Sequence, residues 1–284
     1  MNYKTLLVHM KLGSDNRGLL EVAGDLAGRF EAHVIGVAVS QPMPPLYPAM
    51  QTTYGAGMPS EDIVEVDRNA TERRIAEVEQ SFRAALQGRA ASLEWRSTIT
   101  RNSRSQYVAR QARAADLVVT TPICAGMAVE PSQKMNVGDI VLYAGRPVLL
   151  VPPGTERLNL DTAVIGWKDT RESRRALADA LPLLQLAKRV VIVEIAARQD
   201  ISDARRHVGD VTAWLKRHGI SAVEARFEGF KGLEAEQLDA LARDCEAGLF
   251  VAGAYGHTRL REWIVGGVTM DLLLQPKRPT LVSH

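Results

Sequence analysis

The chain contains the same segment twice. Gly145-Arg146-Pro147 returns as Lys277-Arg278-Pro279, 132 residues later, and the same ungapped register sets Leu117 against Leu249, Val119 against Val251 and Asp139 against Asp271. Near the start of each half, Lys11 and Lys168 stand 157 residues apart, each just past an apolar strand pattern and before a helical one. A length of 284 residues is about two domains' worth of chain, so the repeat predicts two copies of one fold. The two offsets, 157 and 132, differ by 25 residues, which is the excess carried by the first copy.

Within each copy, short β-rich runs alternate with amphipathic stretches, the pattern of βαβ units and a parallel sheet. Strands are predicted at 4–9, 33–39, 93–98, 117–121 and 147–151, and again at 162–167, 190–195, 222–227, 249–252 and 280–283. The helices of the first half are expected after Ser14/Asp15 as a cap and at 60–86, 103–114 and 137–144. Those of the second are expected at 171–184, 202–218, 234–245 and 269–274. The fold class is therefore α/β: two tandem open five-stranded, mostly parallel sheets flanked by helices. The excess residues fall on the Pro/Met/Tyr-rich stretch 41–59 and the longer helix after it, an insertion of the kind used as a lid or an interface. Pro152-Pro153-Gly154 interrupts sheet and helix alike, dividing the chain into domains at 1–152 and 159–284.

Composition narrows the function. The 35 Lys+Arg and 33 Asp+Glu nearly cancel, and aromatic residues make up 5%, which argues against a nucleic-acid surface built on charge or stacking. Cys124 and Cys245 are too few for a disulfide framework or a zinc site, and a reducing compartment is expected. The N-terminal apolar stretch is too short for a signal peptide, and the uncharged stretch 117–129 falls short of a membrane helix. These readings predict a cytoplasmic chain.

The main chemical signal follows the strand at 249–252. Gly253-Ala254-Tyr255-Gly256-His257-Thr258 is succeeded by Gly266-Gly267-Val268-Thr269, which opens a helical pattern. Glycines at a strand end admit close backbone approach to a ligand, and N–H groups at a helix start form an anion cradle. The spacing Gly253-x2-Gly256-x9-Gly266 resembles the nucleotide-binding signature of the universal stress protein family, and 253–262 looks very like its tandem bacterial members. The resemblance extends over both halves and implies the UspA or adenine nucleotide alpha hydrolase-like fold, with ATP or AMP as ligand and Mg2+ accompanying ATP. It implies that Gly253 and Gly256 line the ribose and phosphate side, that Gly266, Gly267 and Val268 present N–H groups to phosphates, and that Thr269 adds a hydroxyl or caps its helix. Lys168, followed by Asp169, stands where the family has an acidic residue; it pairs with phosphate or is a solvated lysine. His257 is a phosphate ligand or a surface turn residue.

In the first half the register places Thr121, Cys124, Lys134 and Met135 at the positions of Gly253, Gly256, Gly266 and Gly267. Their side chains obstruct close backbone approach, so the nucleotide site is expected in the second half alone. Family members pair through their last strands, and the resemblance implies that a tandem chain makes that pair internally, 147–151 against 280–283 across a pseudo-twofold axis, with a homodimer as a further assembly. P-loop, dinucleotide-binding and G-x-S-x-G signatures are missing, and the six histidines include neither H-x3-H nor H-E-x-x-H. Neither a catalytic residue nor a protein-only metal site is predicted. Gly267, Lys11 and Lys168 depart from the family pattern, which keeps open a second reading, an interaction scaffold that binds no nucleotide, and a third, slow ATP hydrolysis.

Overall fold

The computed structural model describes residues 2–42, 61–122, 135–229, 234–254 and 276–284, without the side chains of 61–64 and 67. The first half runs β1 (Thr5–His9), α1 (Arg17–Phe30), β2 (His33–Ser40), α2 (Glu61–Leu86), β3 (Ser92–Ile99), α3 (Arg104–Gln111), β4 (Leu117–Thr120), α4 (Val137–Tyr143) and β5 (Val148–Leu150). The second runs β6 (Thr162–Gly166), α5 (Arg171–Leu184), β7 (Arg189–Ala196), α6 (Ile201–Arg217), β8 (Val223–Gly229), α7 (Glu234–Asp244), β9 (Leu249–Gly253) and β10 (Thr280–Ser283). The predicted strands recur within two residues at each end.

All ten strands form one open sheet in the order β3-β2-β1-β4-β5-β10-β9-β6-β7-β8. Each half is parallel throughout, and the join between β5 and β10 is antiparallel. The repeat is legible in the ladders. Leu6 pairs with Leu117 as Ala163 pairs with Leu249, and Val119 pairs with Leu149 as Val251 pairs with Leu281. Because the join is antiparallel, the carboxyl ends of the two half-sheets point in opposite directions.

Apolar side chains from α1, α2, α5 and α6 pack on one face of the sheet into a single cluster spanning both halves, from Tyr3, Leu26 and Phe82 to Leu177, Leu184 and Leu215. The other face carries separate clusters, under α3 and α4 in the first half and under α7 in the second. The hydroxyl of Tyr3 donates to the carbonyl of Asp179, tying β1's entry to α5. The connecting segment is a turn in which Thr155 N–H and hydroxyl donate to Pro152 O, with Gly154 at φ +80°. It lies against α1: a Cβ on Gly18 would overlap Thr155 O.

Local expectations fail in two places. The cap of α1 is Asn16, whose side chain makes no cap bond. Its amide is turned to the loop after β1, accepting from Lys11 N and donating to Lys11 O, while Asp15 Oδ1 accepts from Arg17 N. The helix predicted over 103–114 ends at Gln111 and tightens into a 3-10 turn over Ala112–Ala114. The helix predicted at 269–274 and most of 41–59 lie outside the described residues.

Candidate functional site at the carboxyl ends of the strands

Each half-sheet has the strand order 3-2-1-4-5, counted within its own repeat. In such sheets connections leave in opposite directions from the two central strands, and a crevice opens at their carboxyl ends, where ligands bind. In the second half those strands are β6 and β9. Gly253 closes β9, and Lys168 follows β6 by two residues.

Thr170 caps α5, its hydroxyl accepting from Ser173 N at 3.3 Å, and this brings the first turn of α5 over the end of β9. A Cβ on Gly253 would stand 2.5 Å from Ser173 N and 2.6 Å from Glu172 C. Gly253 is thus required by helix packing at the crevice, a demand separate from that of any ligand. Lys168 is exposed, and its neighbour Asp169 pairs with Arg174 at 2.6 Å. His284 Nδ1 lies 3.2 Å from Ala254 O, the last described carbonyl after β9.

Beside them lies a buried carboxylate. Glu194, on β7, is 7% exposed, with Oε2 3.4 Å from His207 Nδ1, which in turn accepts from Trp167 Nε1 at 3.3 Å. Burial pushes the Glu194 carboxyl up to about 7; Asp169 adds to the effect and Lys168 opposes it. A buried carboxyl that exchanges its proton near neutrality is the chemistry this group can offer. Its signal in the sequence is a lone charge within the apolar run Val190-Val191-Ile192-Val193-Glu194-Ile195. Sequence reasoning passed over it.

The first half builds the equivalent place differently. Lys11 is buried, and its Nζ donates to Pro122 O at 2.8 Å, bridging the ends of β1 and β4. His9 Nδ1 lies 3.0 Å from Thr120 Oγ1 across the same two strands. Thr121, at the position of Gly253, is buried. Lys11 and Lys168 therefore share a place in the repeat and differ in environment, one inside and one in solvent.

Of the residues singled out from the sequence, Gly253 and Lys168 stand at the carboxyl ends of these two central strands. Gly256, His257, Gly266, Gly267, Val268 and Thr269 lie outside the described residues, as do Cys124 and Lys134; Met135 is buried. Cys245 is a buried free thiol. Among the described residues no group of three or more His, Cys, Asp or Glu is placed to hold a metal ion, and no helix is long and apolar enough to cross a membrane.

No family model and no curated protein sequence matches the chain. Solved structures do. A universal stress protein from Archaeoglobus fulgidus DSM 4304 aligns with a TM-score of 0.72 at 14% identity, over 99% of this chain and 98% of that one. A functionally unknown protein from Pseudomonas aeruginosa PAO1 aligns with a TM-score of 0.60 at 16% identity, over 99% and 92%. Along its whole length, with both halves in one polypeptide, the chain has the universal stress protein fold.

Proposed function

We propose that the protein is a nucleotide-binding stress-response or signalling protein that holds ATP or AMP in its second half, with no turnover required. The observation that carries this reading is the position of the glycine string. Gly253, its first member, closes the central strand β9 at the crevice of an open parallel sheet, so the chain running to Gly256 and Gly266 starts where such sheets take their ligands. Backbone N–H groups in glycine-rich turns and at helix starts suit phosphates without a large net charge, in keeping with a chain whose formal charge is +2. Magnesium, where present, arrives with ATP.

In this reading the β5–β10 ladder replaces the pairing of two separate chains, and the first half serves as a fixed partner for the second. Native mass spectrometry of the freshly purified protein tests the proposal: a bound adenine nucleotide, or a rise in melting temperature with ATP or AMP that Gly256→Val removes, supports it. A chain that carries no nucleotide and whose melting temperature ignores millimolar ATP and AMP is the interaction scaffold instead. That second reading rests on the departures at Gly267, Lys11 and Lys168, and Gly253 adds to it, because its missing side chain is already accounted for by α5.

A further inference from the structure

The antiparallel join between the halves leaves β3 and β8 as the two edges of the sheet. Both edges carry the same charge ladder. On β3, Glu94 pairs with Arg96 and with His33 of the neighbouring β2; on β8, Glu224 pairs with Arg226 and with Arg189 of the neighbouring β7. Edges are commonly blunted by unmatched charge. Here each glutamate already has its cation two residues further along the same strand, at 2.7 Å in both cases, so the charge is matched rather than repulsive.

β8 is the edge whose order of residues is complementary to itself. Val190 N–H donates to Ala222 O, so by the alternation of a strand the main-chain groups of Val223, Ala225 and Phe227 face away from β7. Val223 N–H is taken by Ser221 O, but among the described residues no hydrogen bond reaches the outward N–H and C=O of Ala225 or Phe227. Ala225 itself is exposed, and its small side chain admits close approach. Two copies of β8 laid antiparallel about a twofold axis at Ala225 would set Glu224 opposite Arg226 on the α7 face and Val223 opposite Phe227 on the α6 face. Opposite charges and aromatic with β-branched side chains are favourable cross-strand pairs. A slip of two residues either way sets Glu224 against Glu224 or Arg226 against Arg226, so one register is selected. The same arrangement of β3 would put Leu93 against Ser97, and Arg96 is already committed to Gln111 at 3.0 Å.

We propose that two copies of the chain associate through β8, antiparallel about Ala225, extending one sheet across both molecules. The contact repeats between chains the antiparallel edge pairing that β5 and β10 make within one. It does not depend on nucleotide.

Sedimentation velocity of the full chain over a micromolar concentration series is the test, and a monomer–dimer equilibrium is the expected result. Ala225→Pro removes an outward N–H and spares the ladder to β7, so it should give a monomer that circular dichroism shows to be folded. Arg226→Glu should also give a monomer, by setting carboxylates opposite one another, and mixing it with Glu224→Lys should restore a mixed dimer. Arg96→Glu, on the other edge, should leave the dimer unchanged. A monomeric parent overturns the proposal, as does a dimer that survives Ala225→Pro or Arg226→Glu, or one that Arg96→Glu disperses. If Ala225→Pro fails to fold, the parent and Arg226→Glu still decide.

Discussion

Leu149 and Leu281, the same residue of the repeat 132 positions apart, face each other directly across the antiparallel ladder between β5 and β10. Their neighbours obey the same symmetry, Leu150 opposite Thr280 and Val148 opposite Val282, so the pseudo-twofold axis passes through this pair. Both leucines are fully buried. The join removes two strand edges that would otherwise be templates for further pairing, and the helices on one side of it share a core.

That shared core predicts cooperative unfolding. Leu281→Ala should destabilise the chain by about 2–5 kcal/mol, the range for a buried leucine whose cavity does not collapse. Urea denaturation followed by far-ultraviolet circular dichroism should show a single transition for parent and variant; two separated transitions would mean that the halves unfold independently.

The tie between Tyr3 and Asp179 should contribute less. Tyr3→Phe keeps the edge-to-face contact with Phe30 and loses the hydroxyl's bond to Asp179 O. A loss of about 1 kcal/mol is expected from one hydrogen bond, measured by the same denaturation.

Gly253→Ala should destabilise the protein with no nucleotide present, because its Cβ would stand 2.5 Å from Ser173 N. Overpacking against backbone costs about 1–3 kcal/mol. A fall in melting temperature in nucleotide-free buffer is the readout. An unchanged value would show that α5 yields without cost and would return Gly253 to a role in ligand approach alone.

Glu194 makes stability depend on pH with a defined sign. Its folded pKa of about 7 lies above the ordinary 4.5, so the protonated carboxyl favours the fold. The contribution is complete below pH 4.5 and is lost as pH rises through 7. Glu194→Gln should therefore melt a few degrees above the parent beyond pH 7, with the gap closing below pH 4.5 in a thermal scan across pH.

Periodicity and the repeat made the architecture readable before any coordinates. β10 falls at 280–283 and α5 at 171–184 in both sequence and structure. Hydrophobic alternation sets those bounds locally. Burial at the strand ends is set by distant segments, and there the sequence misleads. Lys11 and Lys168 look alike in sequence, yet Pro122 reaches over Lys11 while nothing comparable covers the exposed Lys168 among the described residues. Arg104 reads as one more basic helix residue until the 100–103 turn carries it inside. Asn16 reads as an ordinary cap candidate, but its amide is committed to Lys11.

A single adenine-nucleotide site is proposed for the second half. Isothermal titration of the full chain with ATP tests it most directly. Saturable heat at one nucleotide per chain, abolished by Gly256→Val, is the expected result. No heat at millimolar ATP, or binding that Gly256→Val leaves intact, would contradict it.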